Sequence, residues 1–164
     1  MRRAWMLALP LLFLASGAMA QQNVQRSRPP SANVRLTFHL IEANGFAQDD
    51  AQIRPIVTEL RKLFRFQGYR LLSTSMLQGS ASPHSSVSQQ VADDENRRYE
   101  INSDLEYDGD VVRVGVRLLL LPEETVLINA SVSLQDGKTV VLGSARVNGE
   151  TGALILAVTP TINP

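Results

Sequence analysis

Hydrophobic and polar residues alternate over most of the chain, with the period of two that is typical of half-buried β-strands. The first alternating segment has Val34, Leu36, Phe38 and Leu40 on one face, and Asn44-Gly45 ends it. Further strands are predicted at 69–77, 97–107, 112–121, 125–134, 138–146 and 152–159, and the loop that begins at Gln78 leads into a polar strand. In the strand at 125–134, the apolar face consists of Val126, Ile128, Ala130, Val132 and Leu134.

One segment instead follows the 3.6-residue period of an amphipathic helix. Its apolar residues are Ile53, Ile56, Val57, Leu60, Leu63 and Phe64. Asp49 and Asp50 suit a helix start, because carboxylates satisfy free N–H groups there and complement the helix dipole. Pro55 limits how early the regular helix begins, and Gly68 is predicted to stop it.

Two Asp-Gly pairs, Asp108-Gly109 and Asp136-Gly137, predict tight hairpin turns. The element order is therefore β-α-β followed by a β-meander. We predict an α+β fold with one amphipathic helix packed on a mostly antiparallel β-sheet, in a single domain from 34 to 160. Residues 21–33 are polar and contain Pro29-Pro30, which predicts a disordered linker before this domain.

The first twenty residues have the order of a secretory signal peptide. Arg2 and Arg3 precede an apolar run from 4 to 15, and Ala18 and Ala20 place small residues before the cleavage position. We expect an exported protein that is periplasmic or associated with the outer membrane. No later stretch approaches the roughly 20 uninterrupted apolar residues of a transmembrane helix, so none is expected after signal removal.

Composition narrows the functional classes. The chain has 16 basic and 16 acidic residues, so loss of Arg2 and Arg3 leaves a small negative net charge and no electrostatic drive towards nucleic acid. The absence of cysteine excludes disulfides, thiol nucleophiles and zinc–thiolate sites. Only His39 and His84 remain as histidines, which argues against a multi-histidine metal site.

The motifs that suggest chemistry are few. Asp104–Asp110 resembles the start of a calcium loop, but Glu106 and Gly115 occupy its third and twelfth positions, so a charged hairpin tip is predicted and a weak ion site stays open. The charged run 93–98 predicts a solvated strand entry or a polar binding edge. Hydrolase elbows and glycine-rich phosphate loops are missing. We therefore predict no enzyme activity and no cofactor, and assign no catalytic or metal-binding residue.

The last two predicted strands carry apolar residues on both faces, at 140–142 and 154–156. The single helix covers only part of one face. Val141 and Ile155, which point away from Val140 and Leu154, are therefore predicted to form a contact surface for self-association or for an envelope protein partner. An ordinary closed β core is the alternative.

These same segments carry a resemblance. Residues 131–144 contain Asp136-Gly137-Lys138-Thr139-Val140-Val141-Leu142-Gly143, and residues 153–160 form an apolar strand that closes on Val158-Thr159-Pro160. This order is similar to the last strands of the secretin family, the outer-membrane channels of type II and type III secretion and of pilus systems. The resemblance implies a small envelope protein with a secretin-type strand arrangement.

The sequence therefore predicts an exported, non-catalytic cell-envelope protein that acts as a protein-binding or assembly module related to secretin-type β domains. Two alternatives stay open. A small outer-membrane β-barrel fits the size of the chain, although the helix and the few aromatic residues argue against it. A soluble domain that binds a small ligand is the other.

Signal removal is directly testable. We expect the exported protein to begin at Gln21, because Ala18 and Ala20 suit the subsites of a signal peptidase. Intact-mass measurement checks this, and tryptophan fluorescence should be nearly absent because Trp5 is the only tryptophan. A mass that includes Trp5 contradicts the prediction.

Overall fold

A computed structural model describes residues 32–82, 85–108, 111–146 and 152–163. The strands are β1 (Ala32–Asn44), β2 (Gly68–Ala81), β3 (Ser85–Ala92), β4 (Arg98–Asp108), β5 (Val111–Leu121), β6 (Thr125–Leu134), β7 (Val140–Ala145) and β8 (Ala153–Asn163). A 3₁₀ turn (Ala51–Ile53) and helix α1 (Arg54–Leu63) connect β1 to β2. The strands form two antiparallel four-stranded sheets, with the orders β2-β1-β8-β7 and β3-β4-β5-β6.

The main core lies between the two sheets. The alternation in the sequence turns Leu36 and Phe38 of β1 inward, where they belong to one cluster with Val114 and Val116 of β5. Charged and polar residues such as Arg117 alternate with them and face outward. Removing this apolar surface from water is the main stabilising contribution to such a fold.

A second apolar cluster lies on the outer face of the first sheet, beneath α1. Leu60 and Ile53 pack there with Ile41, Tyr69 and Ile155. Leu60 is 0% exposed, as the pattern predicts, whereas Leu63, which the same pattern placed on the apolar face, is 63% exposed at the end of the helix. The first sheet is therefore covered on both faces, by the second sheet and by α1.

The helix ends earlier than predicted, and Gly68 does not stop it. Phe64 has an extended backbone, and its N–H donates to the carbonyl oxygen of Leu60. Gly68 instead begins β2, where an added Cβ atom would lie 2.5 Å from the carbonyl oxygen of Phe46. The glycine is thus required by a close backbone approach.

The coarse prediction of a mostly antiparallel fold with one helix is confirmed, but its arrangement differs. There are two sheets in the described residues, and β1 and β2 on either side of the helix are antiparallel neighbours. β4 and β5 are antiparallel neighbours in which Asp108 opposes Val111, and Gly109 of the turn predicted between them lies outside the described residues. A tight turn does form at Asp136-Gly137, where the N–H of Lys138 donates to the carbonyl oxygen of Gln135 at 3.1 Å. The prediction of a hairpin there is wrong, because the chain passes from β6 in one sheet to β7 in the other.

The predicted face of β6 is correct except at its start. Ile128 and Leu134 are buried, whereas Val126 is 53% exposed. A register shift between Leu118 and Leu119 of β5 changes the pairing at this point, so that Leu118 opposes Ile128 and Leu119 opposes Val126. A one-residue shift moves a side chain to the other face of a strand.

The boundaries of the fold also differ slightly from the prediction. β1 begins at Ala32 and β8 extends to Asn163, so positions 32–33 of the predicted linker belong to a strand. The predicted signal peptide and residues 21–31 lie outside the described residues. Within the described part, the structure contains no helix that is long and apolar enough to cross a membrane.

The packing of α1 is testable with two neighbouring substitutions. Leu60→Ala should lower the free energy of unfolding by about 2–5 kcal/mol, because it leaves a cavity beneath the helix. Lys62→Ala should change it by less than about 0.5 kcal/mol, because this lysine is exposed and its ion pair with Glu59, at 2.7 Å, lies at the surface. Urea denaturation measures both, and equal midpoints contradict this packing.

Candidate protein-binding surface

The edges of the two sheets meet where β6 lies beside β7, and we call this junction the β6–β7 seam. Each strand pairs with one neighbour, β6 with β5 and β7 with β8. In the described residues no ladder of backbone hydrogen bonds joins β6 to β7. The seam therefore presents backbone groups that no neighbouring strand engages, which makes it a template for an added strand.

Side-chain packing brings the two strands of the seam together between their ends. A Cβ atom added at Gly143 would lie 3.3 Å from Cγ2 of Ile128, so the missing side chain lets β7 approach β6. Ile128, Leu134 and Leu142 along the seam are buried. Other apolar residues along the seam are only partly buried, and they are Leu127, Ala130, Val132, Val140 and Ala145. The seam is therefore apolar inside and partly open to water.

The seam widens into a cleft of about 630 Å³ at the end where β6 begins. Leu120, Val126, Leu127 and Ala145 contribute apolar walls, and Glu123, Thr125 and Arg146 lie at the polar rim. Apolar walls with a polar rim are typical of protein-binding surfaces.

β6 lacks two of the features that protect edge strands, charges and prolines, although its pairing with β5 skips Leu127 at the register shift. It contains no charged residue, proline or glycine over its ten positions. Natural edge strands are commonly protected by charges, prolines or bulges that block the approach of another strand. β3, the opposite edge of the same sheet, is also uncharged, but its inward face includes Gln89. The β6 edge is the more apolar of the two.

A hydrogen-bonded corner at 135–139 closes the other end of the seam. The N–H of Gly137, which has a φ of +68°, donates to the carbonyl oxygen of Pro160 at 2.9 Å. Asp136 Oδ1 accepts from the N–H of Ile162 at 2.8 Å. The hydroxyl groups of Thr139 and Thr159 lie 2.7 Å apart. The Asp-Gly-x-Thr and Val-Thr-Pro segments thus contact each other directly.

The predicted contact surface at Val141 and Ile155 needs correction. Ile155 is 0% exposed beneath α1, so its side chain is covered within the chain and offers no surface to a partner. Val141 is half-buried at the margin of the same cluster. The sequence showed that both faces of β8 are apolar, but it did not show that α1 reaches this strand.

The charged run at 93–98 forms a structural centre that sequence reasoning missed. The Asp93 side chain is 0% exposed. Its Oδ2 accepts from Arg97 Nε at 2.6 Å and from the Tyr99 hydroxyl at 3.1 Å. Its Oδ1 accepts from the backbone N–H groups of Glu95 and Arg97, at 3.0 and 2.9 Å. Asp93 thus organises the turn between β3 and β4, and only its spacing from Arg97 hints at this in the sequence.

The electrostatics of this turn favour the charged carboxylate. Burial opposes the ionisation of Asp93, but the hydrogen bonds and positive charge of Arg97 outweigh it and hold the pKa below its usual value. Burial next to this carboxylate raises the pKa of Tyr99, so its hydroxyl stays a donor.

The other candidates do not assemble into a site. His39 is half-buried, burial lowers its pKa, and its Nδ1 lies 3.3 Å from the Thr74 hydroxyl. Asp104 and Glu106 are exposed on β4, whereas His84, Gly109 and Asp110 lie outside the described residues. No group of three His, Cys, Asp or Glu side chains in the described ranges is placed to hold a metal ion.

Comparison with known proteins gives no match to a family model, to a curated protein or to a solved structure.

The role of Asp93 is testable against its neighbour. Asp93→Asn should lower the free energy of unfolding by about 3 kcal/mol, because it removes the charge that pairs with Arg97 in a buried site. Asp94→Asn should cost less than about 1 kcal/mol, because this exposed carboxylate lies 3.3 Å from Arg70 at the surface.

The effect should depend on pH. The folded-state pKa of Asp93 is lowered, so its contribution is fully present above the unfolded pKa of about 3.9 and is lost as pH falls through the folded pKa. Urea titrations between pH 7 and pH 3 measure the difference in the free energy of unfolding between the original protein and Asp93→Asn. This difference should become smaller below about pH 4. A difference that stays constant to pH 3 contradicts this.

Proposed function

We propose that the chain is an exported, non-catalytic protein-binding module of the cell envelope, and that it binds an extended segment of a partner protein at the β6–β7 seam. The observation that carries this proposal is the meeting of two uncharged edge strands without a hydrogen-bond ladder between them. An incoming strand would gain backbone hydrogen bonds from the β6 edge and cover the half-buried apolar side chains behind it.

The polar side chains of the described residues support a binding role rather than catalysis. Asp93 holds the turn between β3 and β4, and Asp136 holds the corner before β7. Asp49 accepts from Arg61 Nη2 at 2.8 and 3.0 Å and ties the segment before the helix to its last turns. These groups serve the fold, and the seam offers apolar side chains and backbone groups, with Glu123, Thr125 and Arg146 at the rim of its cleft.

The proposed relation to secretin-type β domains is supported by the corner at 135–139. The residues that carry the resemblance, among them Gly137, Thr139, Thr159 and Pro160, are brought together by hydrogen bonds. These hydrogen bonds fix the position of β8 relative to the start of β7, next to the proposed binding surface. The signal-like first twenty residues support a periplasmic or outer-membrane-associated location.

Site-specific photocrosslinking tests the proposal. Val126→benzoylphenylalanine places a crosslinker at the mouth of the seam cleft, and Ser88→benzoylphenylalanine places it on the exposed face of β3 as a matched control. In the cells that produce the protein, we expect a covalent adduct with another envelope protein from position 126 only. Mass spectrometry of the adduct should identify a single extended peptide.

A charge variant supplies the second control. Thr125→Lys adds a positive charge to the exposed start of β6 and should reduce the adduct at least tenfold, whereas Ser88→Lys should leave it unchanged. An adduct of equal yield from positions 88 and 126, or one that Thr125→Lys does not reduce, contradicts binding at the seam.

A further inference from the structure

A second cleft, of about 660 Å³, lies on the outer face of the sheet β3-β4-β5-β6, and its lining includes Ser131, Val132 and Ser133 of β6. We call it the Gly115 groove. Its central row of outward-facing residues runs across all four strands and consists of Ser86, Asp104, Gly115 and Ser131, which are cross-strand partners. Neighbouring strands are about 4.8 Å apart, so this row is about 14 Å long, which matches four residues of extended chain.

The floor of the groove is a glycine that the fold itself does not require. A Cβ atom added at Gly115 would lie 3.7 Å from Asp104 Oδ2 and 3.8 Å from Ser131 Oγ, which are ordinary contact distances. Its φ is not positive, unlike that of Gly137. Glycine inside a strand weakens the strand, and it commonly marks a place where a ligand or another chain approaches closely.

The charges in the groove favour a cation. Asp104 and Glu106 are exposed, and among the described residues neither carboxylate has a hydrogen-bond or ion-pair partner. Arg113, the basic residue of the lining, already has an interaction partner. Arg113 lies opposite Glu106 in the pairing of β4 with β5, whereas Asp104 lies opposite Gly115. With two carboxylates and one guanidinium group, the lining has a net negative charge, and Asp104 is the carboxylate at its centre.

We infer that the Gly115 groove binds a lysine or arginine side chain on an extended segment of a partner protein. The cationic group meets Asp104 on the groove floor, the hydroxyl groups of Ser86 and Ser131 flank it, and the peptide backbone lies over Gly115. Aromatic residues, on which sugar rings stack, are missing from the described lining, so a basic peptide suits the groove better than a glycan. This inference does not depend on the seam.

Peptide binding to the purified mature chain tests the inference. The probe is a capped peptide of alternating valine and threonine with one central arginine, and its twin carries uncharged citrulline at that position. By NMR titration, we expect the arginine peptide to bind at least tenfold more tightly and to shift the amide signals of residues 104, 115 and 131. The binding should weaken as salt is raised.

Three variants locate the site. Gly115→Ala fills the floor without a clash and should weaken binding of the arginine peptide at least tenfold without lowering Tm, and Asp104→Asn should weaken it similarly. Glu100→Gln, on the same face of β4 but outside the groove, should leave it unchanged. Equal binding of the two peptides, no binding of either, or full binding by both Gly115→Ala and Asp104→Asn overturns the inference.

Discussion

The architecture depends on the need to bury both faces of the sheet β2-β1-β8-β7. Along β8, Leu154 and Leu156 point into the core between the sheets, whereas Ile155 and Ala157 point towards α1. An apolar face left in water costs free energy in proportion to its area, so each face requires its own cover. The second sheet covers one face. The connection between β1 and β2 contains the helix that covers the other.

This requirement also places the free edges. β1 pairs with both β2 and β8, so the first and last strands lie at the centre of one sheet. The chain enters the other sheet at one edge strand, β3, and leaves it at the other, β6. On one side, β2 continues into β3 through a short turn in which the Ser85 N–H donates to the Ser82 carbonyl oxygen. On the other side, β6 and β7 are separated by the corner at Asp136-Gly137, and the β6–β7 seam results.

Much of the fold could be predicted because its strongest signals are local. The period of two identified the inward face of β1, and the period of 3.6 identified the helix and its buried Leu60. Strand pairing is not local, so the sequence did not show that the strands divide into two sheets. The same limit explains two misplaced side chains. Val126 is exposed because the pairing of β5 with β6 skips Leu127, and Ile155 is buried because α1 reaches β8.

Residue type alone does not predict whether a charged side chain is buried or exposed. Asp93 and Asp94 are adjacent and chemically identical, yet one is fully buried and the other is exposed. The difference arises because only Asp93 meets Arg97 Nε, the Tyr99 hydroxyl and two backbone N–H groups. A buried carboxylate is stable when such donors surround it. The number of donors depends on how the fold places other residues, so it does not follow from the identity of a single position.

The two junctions between the sheets differ in the chemistry of their interiors, and this difference determines which one suits a partner. Near β2 and β3 the interior includes Ser75, Gln89 and Ser103, whose buried oxygens have no hydrogen-bond partner among the described residues. An apolar segment added there would leave these oxygens unsatisfied. Along β6 and β7 the corresponding side chains are Leu127, Val132 and Val140, which only gain from the removal of water. Two similar edges in one fold are thus unequal as binding surfaces, because affinity for an apolar strand depends on the residues behind the edge as well as on its backbone groups.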